Sequence, residues 1–492
     1  MAALSGPGAH RRSGVLLHPT SLPGGAGNGD LGTEAYRFAD FLAEAGFSLW
    51  QTLPLGPTHE DGSPYQCLSA HAGNPLLVAL EPLRERGWIE APPELPAGAD
   101  PSAYRWEALQ RAHAGFEERA HAAEREALAA FCREQAHWLE DFALFMALRA
   151  GSPRPWWEWP RPLRDREEAA LAEARRERAG EVAFHRFVQW RFFEQWRDLK
   201  GYANERGIAL FGDLPIFVAH DSAEVWAHRE YFDLDAEGRT ATVAGVPPDY
   251  FSETGQYWGN PHYRWERLAA DGYGWWIERM RTQLELFDWV RIDHFRGFAA
   301  FWEVPEGQAA TEGRWVPGPG EELFRALRKA LGDLPLVAED LGVITEDVDA
   351  LREAFGLPGM KILQFAFGGG AENPYLPHHH RPDFVVYTGT HDNNTTLGWW
   401  EEDIQEDVRE EVRDYLGHPG ESMPWPLIRA ALASVASTAV LPMQDLLALD
   451  GRHRMNQPAT VEGNWQWRFR WEWAPTGLAG RLRELNALYD RL

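Results

Sequence analysis

Cysteine and long apolar runs are scarce in this sequence of 492 residues. Its two cysteines, Cys67 and Cys132, allow at most one disulfide, and nothing near either resembles metal-ligand spacing. No stretch is long and apolar enough to span a membrane, and the apolar run 15–17 is too short for a signal peptide. We therefore expect free thiols, no membrane partner and a cytoplasmic location.

Basic residues are also few compared with acidic ones. The chain has 48 lysines and arginines against 74 aspartates and glutamates, which gives a formal net charge of -26. Such a field repels phosphate backbones, so nucleic acid is not an expected partner. The sequence motifs of serine hydrolases, P-loop nucleotide enzymes and zinc proteases are missing too, and those chemistries have no support.

Aromatic residues, by contrast, are abundant. The sequence holds 24 Trp, 25 Phe and 13 Tyr, and 44% of all residues are hydrophobic, enough to bury a large core. Flat aromatic rings fill cores, and they also stack on the apolar faces of sugar rings. Composition does not choose between these two uses.

Eight short β-like runs recur along the chain, and helical patterns lie between most of them. One such helix follows Thr345, a residue suited to the N-cap position. Alternating strands and helices predict a parallel sheet, and eight strands predict a (β/α)8 TIM barrel. The predicted strands cover 14–17, 47–53, 208–212, 287–292, 334–338, 360–366, 384–387 and 438–441, and further helices are predicted at 34–45, 321–331, 407–416 and 426–437.

The uneven spacing of these runs predicts two large insertions in one catalytic barrel that spans residues 1–492. Segment 55–206 has no clear strand and is rich in Ala, Glu, Arg, Leu and Trp at helical spacing, which indicates a mainly helical subdomain. Segment 214–272 is loop-rich. Its stretch 244–261 is punctuated by Pro and Gly and suits a lid loop over a cleft.

Carboxylates stand at five of the eight predicted strand ends, where barrel enzymes carry their catalytic groups. Glycoside cleavage needs one carboxylic acid to protonate the leaving oxygen and one carboxylate to attack the anomeric carbon. Arg291 precedes Asp293 by two residues on one strand face, and we expect it to lower the pKa of Asp293 and keep it ionised. Glu339 ends an apolar run, where desolvation favours the protonated form. The five ends carry Asp213, Asp293, Glu339 with Asp340, Asp392, and Asp445.

Structural roles compete with this interpretation. An Asp or Glu after a strand often caps the next helix, and the pair Arg291 and Asp293 equally suits a structural ion pair. The catalytic hypothesis depends on Asp293, Glu339 and Asp392 meeting at one rim, with Asp392 binding ring hydroxyls. No single carboxylate decides the matter.

Motifs spread over almost the whole chain resemble one known family. They include Ser63-Pro-Tyr-Gln, Gly73-Asn-Pro, Gly212-Asp-Leu-Pro-Ile-Phe-Val, Val290-Arg-Ile-Asp-His-Phe-Arg-Gly, Ala338-Glu-Asp-Leu-Gly and Tyr387-Thr-Gly-Thr-His-Asp-Asn. Together they resemble the 4-α-glucanotransferases of the amylomaltase type, or disproportionating enzymes, of glycoside hydrolase family 77. The resemblance implies a barrel related to that of α-amylases, without their C-terminal β-sandwich.

The resemblance also implies roles for individual residues. It makes Asp293 the nucleophile, Glu339 the general acid/base and Asp392 the transition-state stabiliser, in agreement with the strand-end argument. Neither a cofactor nor a metal is implied, and residues 249–251 would belong to a mobile loop. The implied substrate-binding residues are Tyr65, Asp213, Asp249, Tyr250, Phe251, Trp258, Arg291, His391 and Asn464.

Two positions depart from the family pattern. Residues 58–62 lack a tyrosine that many relatives use in a secondary glucan-binding groove, so we do not expect that aromatic platform here. Asn394 stands where many relatives have Asp, and we expect it to support its loop.

The implied reaction moves a segment of an α-1,4-glucan or maltooligosaccharide to the 4-hydroxyl of another sugar, with retention. Large cyclic glucans form when the acceptor belongs to the same chain. An α-glucan hydrolase would use the same carboxylates with water as the acceptor, and a non-catalytic glucan-binding barrel would keep only the cleft. A monomer or weak homo-oligomer is expected.

Overall fold

Eight parallel strands form the centre of the structure, one at each predicted run. The computed structural model describes residues 6–7, 10–24, 27–90, 95, 98, 100–152, 154–248, 253–460 and 462–492. Its barrel strands are β1 (Arg12–Leu16), β2 (Leu49–Gln51), β3 (Ala209–Pro215), β4 (Trp289–Asp293), β5 (Leu336–Ala338), β6 (Gly359–Ile362), β7 (Phe384–Tyr387) and β8 (Thr438–Pro442).

The strands follow one another around the sheet in chain order, and every neighbouring pair is parallel. The remaining gap, between β5 and β6, is bridged where the Ala338 N–H donates a hydrogen bond of 2.8 Å to the Pro358 carbonyl. The sheet is thus a nearly closed ring, and the predicted (β/α)8 TIM barrel is confirmed.

Three predicted strands, at 47–53, 334–338 and 360–366, are longer than the observed β2, β5 and β6. We expected a strand over 360–366, but β6 ends at Ile362 and Leu363–Phe365 form a 3-10 turn. Gln364 explains the turn. Its polar side chain lies at the rim of the barrel and donates a hydrogen bond of 2.9 Å to the Asn394 carbonyl, a contact made outside the sheet. An apolar run therefore marked the strand but not its end.

Helices pack around the barrel and follow most strands. Between β6 and β7 the described residues contain only 3-10 turns and no α-helix. The helices outside the connection from β2 to β3 are Thr33–Glu44, Ala223–Ala227, Trp265–Ala270, Gly274–Leu286, Glu321–Leu331, Glu346–Ala354, Thr396–Gly398, Glu406–Tyr415, Trp425–Ala433, Met443–Leu446 and Leu478–Leu488.

The connection from β2 to β3 is mainly helical, and its last helix belongs to the barrel wall. Ala179–Glu205 buries Phe192, Trp196 and Leu199 in the same hydrophobic core as the strands. Its Gln189 also donates to the Gly73 carbonyl and accepts from the Gly73 N–H, both at 2.8 Å. The helices of this connection are Glu81–Glu85, Pro101–Arg119, Ala122–Glu134, Ala136–Ala150, Arg161–Arg164, Glu168–Glu177 and Ala179–Glu205.

Gly73 shows why that connection needs a glycine. A side chain there would place its first carbon 2.0 Å from the Phe192 ring. The loop therefore lies directly on the helix, and this contact anchors the loop that leads from the cleft.

Across the described ranges, no helix combines the length and the apolar character needed to cross a membrane.

A small antiparallel sheet lies beyond the ends of β3 and β4, where the sequence analysis predicted no strand. It consists of Thr242–Val246, Gln256–Tyr257, Ala300–Pro305 and Arg314–Pro317. The predicted lid loop 244–261 is thus partly a hairpin, in which Gly245 pairs with Tyr257 and Val246 with Gln256. Pro and Gly concealed these strands because both residue types are typical of loops, yet here Gly245 lies within a strand and pairs with both Tyr257 and Trp302.

Candidate active site

A cleft of about 330 Å³ opens at the carboxyl ends of the barrel strands. Asp293, Glu339 and Asp392 all line it. These residues are far apart in sequence, but parallel barrel strands place their carboxyl ends on one rim. The three carboxylates therefore face one common space, as the catalytic hypothesis requires.

Strand register places Arg291 between two carboxylates. Asp213 on β3 is the direct neighbour of Arg291 on β4, and Arg291 Nη1 donates to its two carboxylate oxygens at 2.8 and 2.7 Å. Asp293 lies two residues farther along the same face of β4, with Oδ1 2.9 Å from Arg291 Nη2. The guanidinium thus holds Asp293 in place at the edge of the cleft.

The electrostatics of Asp293 differ from our expectation. Burial raises the pKa of Asp293 to about 6 and outweighs Arg291, which acts to lower it, while Asp213 and Asp392 add to the rise. The predicted lowering was therefore wrong in its net direction, because it counted the cation but neither the desolvation nor the neighbouring carboxylates. At pH 7 Asp293 is still mostly ionised.

Glu339 follows β5 and is held by the backbone. Its Oε2 accepts a hydrogen bond of 2.7 Å from the His294 N–H, and its Oε1 accepts one of 2.9 Å from the Leu341 N–H. Burial, assisted by Asp293, raises the pKa of Glu339 to about 8, although Arg291 and the two backbone donors act in the opposite direction. At neutral pH Glu339 is thus mainly protonated, the form that a general acid requires.

Asp392 stands in the loop after β7. His391 Nε2 lies 3.2 Å from Oδ2, and Asn456 Nδ2 donates to Oδ1 at 2.6 Å. Burial alone would raise the pKa of Asp392, but His391, Asn456 and Arg291 outweigh it and hold the pKa at about 2. Asp392 therefore keeps its negative charge while Glu339 carries a proton.

Aromatic rings form one wall of the cleft. Tyr65 stacks on His391, with ring centroids 5.1 Å apart, and Trp465 leans against both at 5.9 and 6.0 Å. The backbone of Trp465 is left-handed, with φ 64, a conformation that costs energy in residues other than glycine. The strain is consistent with a ring that the chain presents to a ligand.

Asp213 does not line the cleft, although we expected it among the substrate-binding residues. It is 2% exposed, and its carboxylate is engaged by Arg291 and by Tyr65 Oη, which donates at 2.7 Å. Asp213 lies within β3, two residues before the strand ends, and so sits one layer below the rim. Its contacts position Tyr65 and Arg291.

The remaining predicted substrate-binding residues differ in position. Trp258 lines the cleft and packs edge-on against His294, with centroids 4.8 Å apart. Asn464 also lines it, but its Oδ1 accepts from the Gln457 N–H and its Nδ2 donates to the Thr460 carbonyl, both at 2.8 Å. Asn464 thus shapes its own loop. Asp249, Tyr250 and Phe251 lie outside the described residues.

Besides Asp213, two further strand-end carboxylates have structural contacts and do not line the cleft. Asp340 accepts a hydrogen bond of 2.6 Å from the Met360 N–H at the start of β6. Asp445 is 1% exposed and accepts from the hydroxyls of Thr388 and Thr396 at 2.6 and 2.7 Å. The structural alternative raised for strand-end carboxylates therefore applies to these two.

Comparison with known proteins agrees with this geometry. A family model described as 4-alpha-glucanotransferase matches residues 17–473. The 4-alpha-glucanotransferase of Thermus thermophilus is 54% identical over 497 residues, which cover 98% of this chain and 99% of the relative. The 4-alpha-glucanotransferase of Synechocystis sp. is 50% identical over 498 residues and 98% of each chain.

The chain belongs to the 4-alpha-glucanotransferase family. A solved structure, the amylomaltase from Streptococcus agalactiae in complex with acarbose, is 39% identical, with a TM-score of 0.94 over 98% of this chain and 99% of that one. The amylomaltase from Corynebacterium glutamicum shares the fold, with a TM-score of 0.78 and 20% identity over 98% of this chain and 75% of that one.

The cleft of this family member has several lining residues that the sequence analysis did not propose. Gln256 had a readable signal, because it precedes by two residues Trp258, which the family resemblance had named. Asn456 had none, since only the fold brings it to Asp392. The missed lining residues include Asp61, Ser63, Gln66, Gln256, His294, Asn456 and Trp465.

The family departure at Asn394 has a structural role. Its Nδ2 donates to both carboxylate oxygens of Asp403 at 3.2 Å, and its backbone carbonyl accepts from Gln364. Asn394 therefore supports the loop after β7, which also carries Asp392, and it makes no contact with the Asp392 carboxylate.

Proposed function

We propose that this chain transfers α-1,4-glucan segments by double displacement, with Asp293 as nucleophile, Glu339 as general acid/base and Asp392 as transition-state stabiliser. Asp293 attacks the anomeric carbon while Glu339 gives its proton to the departing glycosidic oxygen, so a glycosyl ester forms as the glycosidic bond breaks. Glu339 then takes the proton of an acceptor 4-hydroxyl, and the acceptor oxygen displaces Asp293. The α-1,4 bond is restored with retention.

The opposite protonation of the two carboxyls carries this assignment. The pKa of Asp293 is raised to about 6 and that of Glu339 to about 8, so near pH 7 one group is charged and the other neutral. The first step needs this division of roles. Asp392 remains charged beside them and can stabilise the positive charge that develops on the sugar ring.

The proposed substrates are α-1,4-glucans and maltooligosaccharides. The relatives named 4-alpha-glucanotransferase support transfer to a sugar in preference to water. The aromatic wall of Tyr65, His391 and Trp465 offers apolar ring surface for a glucose unit, and Arg291, Trp258 and Asn464 add polar groups around the cleft. When the acceptor is the other end of the bound chain, the product is a large cyclic glucan.

Incubation with maltotriose tests this function. We expect glucose together with oligosaccharides longer than maltotriose, separated by chromatography, and no products from Asp293→Asn. Products that are only shorter than maltotriose would show a hydrolase. Unchanged maltotriose after long incubation would contradict both enzymes and favour the glucan-binding barrel.

Further proposals concern the chain as a whole. Segments 55–206 and 214–272 are proposed as subdomains that frame the cleft, with the loop 244–261 as its lid. Gln66 of segment 55–206 supports this, because its side chain donates a hydrogen bond of 3.2 Å to the Trp258 carbonyl of segment 214–272.

The free thiols of Cys67 and Cys132 support a cytoplasmic location. The net charge of -26 supports a monomer or weak homo-oligomer, since copies repel one another.

A further inference from the structure

A second cavity, of about 220 Å³, lies apart from the catalytic cleft and shares no lining residue with it. It is bounded by the helices Ala136–Ala150, Ala223–Ala227 and Gly274–Leu286 and by the loop that carries His71. Aromatic side chains of Trp138, Tyr231 and Trp275 contribute to its wall. The cavity is thus formed between the helical connection and the barrel.

His71 offers a hydrogen-bond acceptor at this cavity. The residue is 5% exposed, and its Nδ1 lies 2.8 Å from Thr282 Oγ1. Thr282 Oγ1 also lies 3.2 Å from the Glu278 carbonyl, and when it donates its hydrogen there, His71 Nδ1 is the donor in the pair with Thr282. Because burial holds the pKa of His71 well below its usual value, the ring is neutral and Nε2 is then an unprotonated acceptor.

The surroundings fix this acceptor in one direction. Trp138 stacks on the His71 ring with centroids 5.9 Å apart and an interplanar angle of 10°, and His137 meets the ring edge-on at 5.7 Å. Both neighbours also line the cavity. Within the described part of the chain, His71 Nε2 has no hydrogen-bond partner, although nine-tenths of the residue is buried. An acceptor that faces a cavity without a protein partner is free to take a hydrogen bond from a ligand held there.

The charges around the cavity select the chemistry of that ligand. Asp141, Glu224 and Glu278 line it, so an anion is disfavoured. In the described ranges, no group of three or more His, Cys, Asp or Glu side chains has the arrangement of a metal site. Hydroxyl groups donate to both imidazole nitrogen and carboxylate oxygen. The volume of about 220 Å³ is below the roughly 300–1,000 Å³ of most ligand sites, so it suits one ring and not a chain.

We propose that this cavity is an accessory binding site for one neutral hexose unit of a glucan, with a sugar hydroxyl donating to His71 Nε2 beside the rings of Tyr231 and Trp275. The inference rests on the proposed function for its choice of sugar. A glucan held there would be tethered to the helical side of the molecule, outside the cleft.

Crystals of Asp293→Asn soaked in maltose test the proposal directly, because this variant does not turn the sugar over. We expect electron density for a hexose in the cavity, with a hydroxyl within hydrogen-bond distance of His71 Nε2. Titration calorimetry with maltose in the same background should count one binding site fewer after His71→Phe. That change keeps a ring against Trp138 and removes the acceptor, and Thr282 can still donate to Glu278.

A second pair of variants covers the case in which His71→Phe does not fold. A side chain added at Gly274, on the cavity lining, or at Gly201, on the helix Ala179–Glu205, meets no atom within 4 Å of its first carbon. We expect Gly274→Trp to weaken binding at the cavity at least tenfold and the matched control Gly201→Trp to leave it unchanged.

Each of these experiments has a result that would overturn the accessory site. Maltose in the cleft with an empty cavity, a buffer cation in the cavity, or equal stoichiometry in all variants would overturn the accessory site and leave the proposed transfer reaction intact. Transfer is measured separately, with wild-type enzyme and maltotriose. Failure of that assay with a hexose still bound at His71 would count against the proposed function alone.

Discussion

Asn456 Nδ2 donates a hydrogen bond of 2.6 Å to Asp392 Oδ1, and the Asn456 backbone N–H donates one of 3.2 Å to the His391 carbonyl. One residue therefore holds both the carboxylate and the main chain that carries it. His391 Nε2 faces the other carboxylate oxygen. A nitrogen next to each oxygen explains how a buried carboxyl keeps its charge.

Replacing Asn456 by alanine should lower kcat/KM without shifting the acid limb of the profile of kcat/KM against pH. A hydrogen bond to a charged group contributes about 1.5–3 kcal/mol, which corresponds to a loss of roughly tenfold to a hundredfold in kcat/KM. The same loss raises the pKa of Asp392 by about one or two units. Starting from about 2, that pKa stays below the pKa of about 6 at Asp293, which sets the acid limb. Profiles of kcat/KM against pH with maltotriose measure both effects.

The matched control is an amide and carboxylate pair far from the cleft. Asn204 Nδ2 donates to Asp288 Oδ2 at 2.9 Å, at the opposite, amino-terminal end of the barrel strands. Asn204→Ala should leave kcat/KM unchanged. If it lowers kcat/KM as much as Asn456→Ala does, the effect is a general loss of stability and the positioning role of Asn456 is wrong.

Asn456→Asp should have a different signature, because it places a second carboxyl beside Asp392. Two carboxylates at hydrogen-bond distance raise the pKa of one of them strongly. The added negative charge also opposes ionisation of Asp293, so the acid limb of kcat/KM should move to higher pH. An acid limb identical to that of the wild type would exclude electrostatic contact between position 456 and the catalytic carboxyls.

The barrel was predictable because its signals are local. Short apolar runs and the helical patterns between them follow from burial and periodicity, and all eight strands formed where these patterns stand. The antiparallel sheet was missed since its strands lie among Pro and Gly residues and Gln256–Tyr257 has only two residues. Thr242–Val246 also pairs with Ala300–Pro305, a partner distant in sequence that no local pattern reveals.

The candidate site was also predictable from the sequence only in part. Strand ends and the family resemblance identified Asp293, Glu339 and Asp392, which line one cleft. Desolvation was harder to judge from sequence, because it depends on everything packed around a carboxyl. For that reason the pKa shift of Glu339 had the expected direction and that of Asp293 did not.

Asp293→Asn and Asp445→Asn should separate catalytic from structural strand-end carboxylates. Loss of the nucleophile should lower kcat at least roughly a thousandfold with little change in melting temperature. Asp445 is buried against Thr388 and Thr396, so its amide should lower the melting temperature and keep kcat within about tenfold. Calorimetry and maltotriose turnover give both quantities. The reverse pattern would invalidate the assignment of Asp293.

The pH dependence of wild-type transfer should be bell-shaped. Activity requires Asp293 ionised and Glu339 protonated, so kcat/KM should rise with pH near 6 and fall near 8, with the two limbs belonging to the pair. Glu339→Gln should lose turnover of maltotriose. It should still react with α-maltosyl fluoride, whose leaving group needs no proton, whereas Asp293→Asn should not. Equal loss with both substrates in Glu339→Gln would contradict the general acid.

The stability of Glu339→Gln relative to wild type should also rise with pH between about 4.5 and 8. The pKa of Glu339 is about 8 in the folded chain against an ordinary 4.5, so the folded state binds this proton more tightly than the unfolded state. The resulting stability is present below pH 4.5 and is lost as pH rises through 8. Glutamine carries no charge and avoids that loss.

The difference in melting temperature between Glu339→Gln and wild type should therefore grow in favour of the variant between pH 5 and pH 9, as followed by calorimetry. The substitution also changes the hydrogen bonds with the His294 and Leu341 N–H groups. This change shifts the melting temperature of the variant by the same amount at pH 5 and at pH 9, so it does not affect the growth of the difference. Glu410→Gln, on the exposed face of Glu406–Tyr415, serves as the control and should show no such growth. A difference that does not change with pH would mean that burial does not hold Glu339 in its protonated form, and the proposed acid would lose its physical basis.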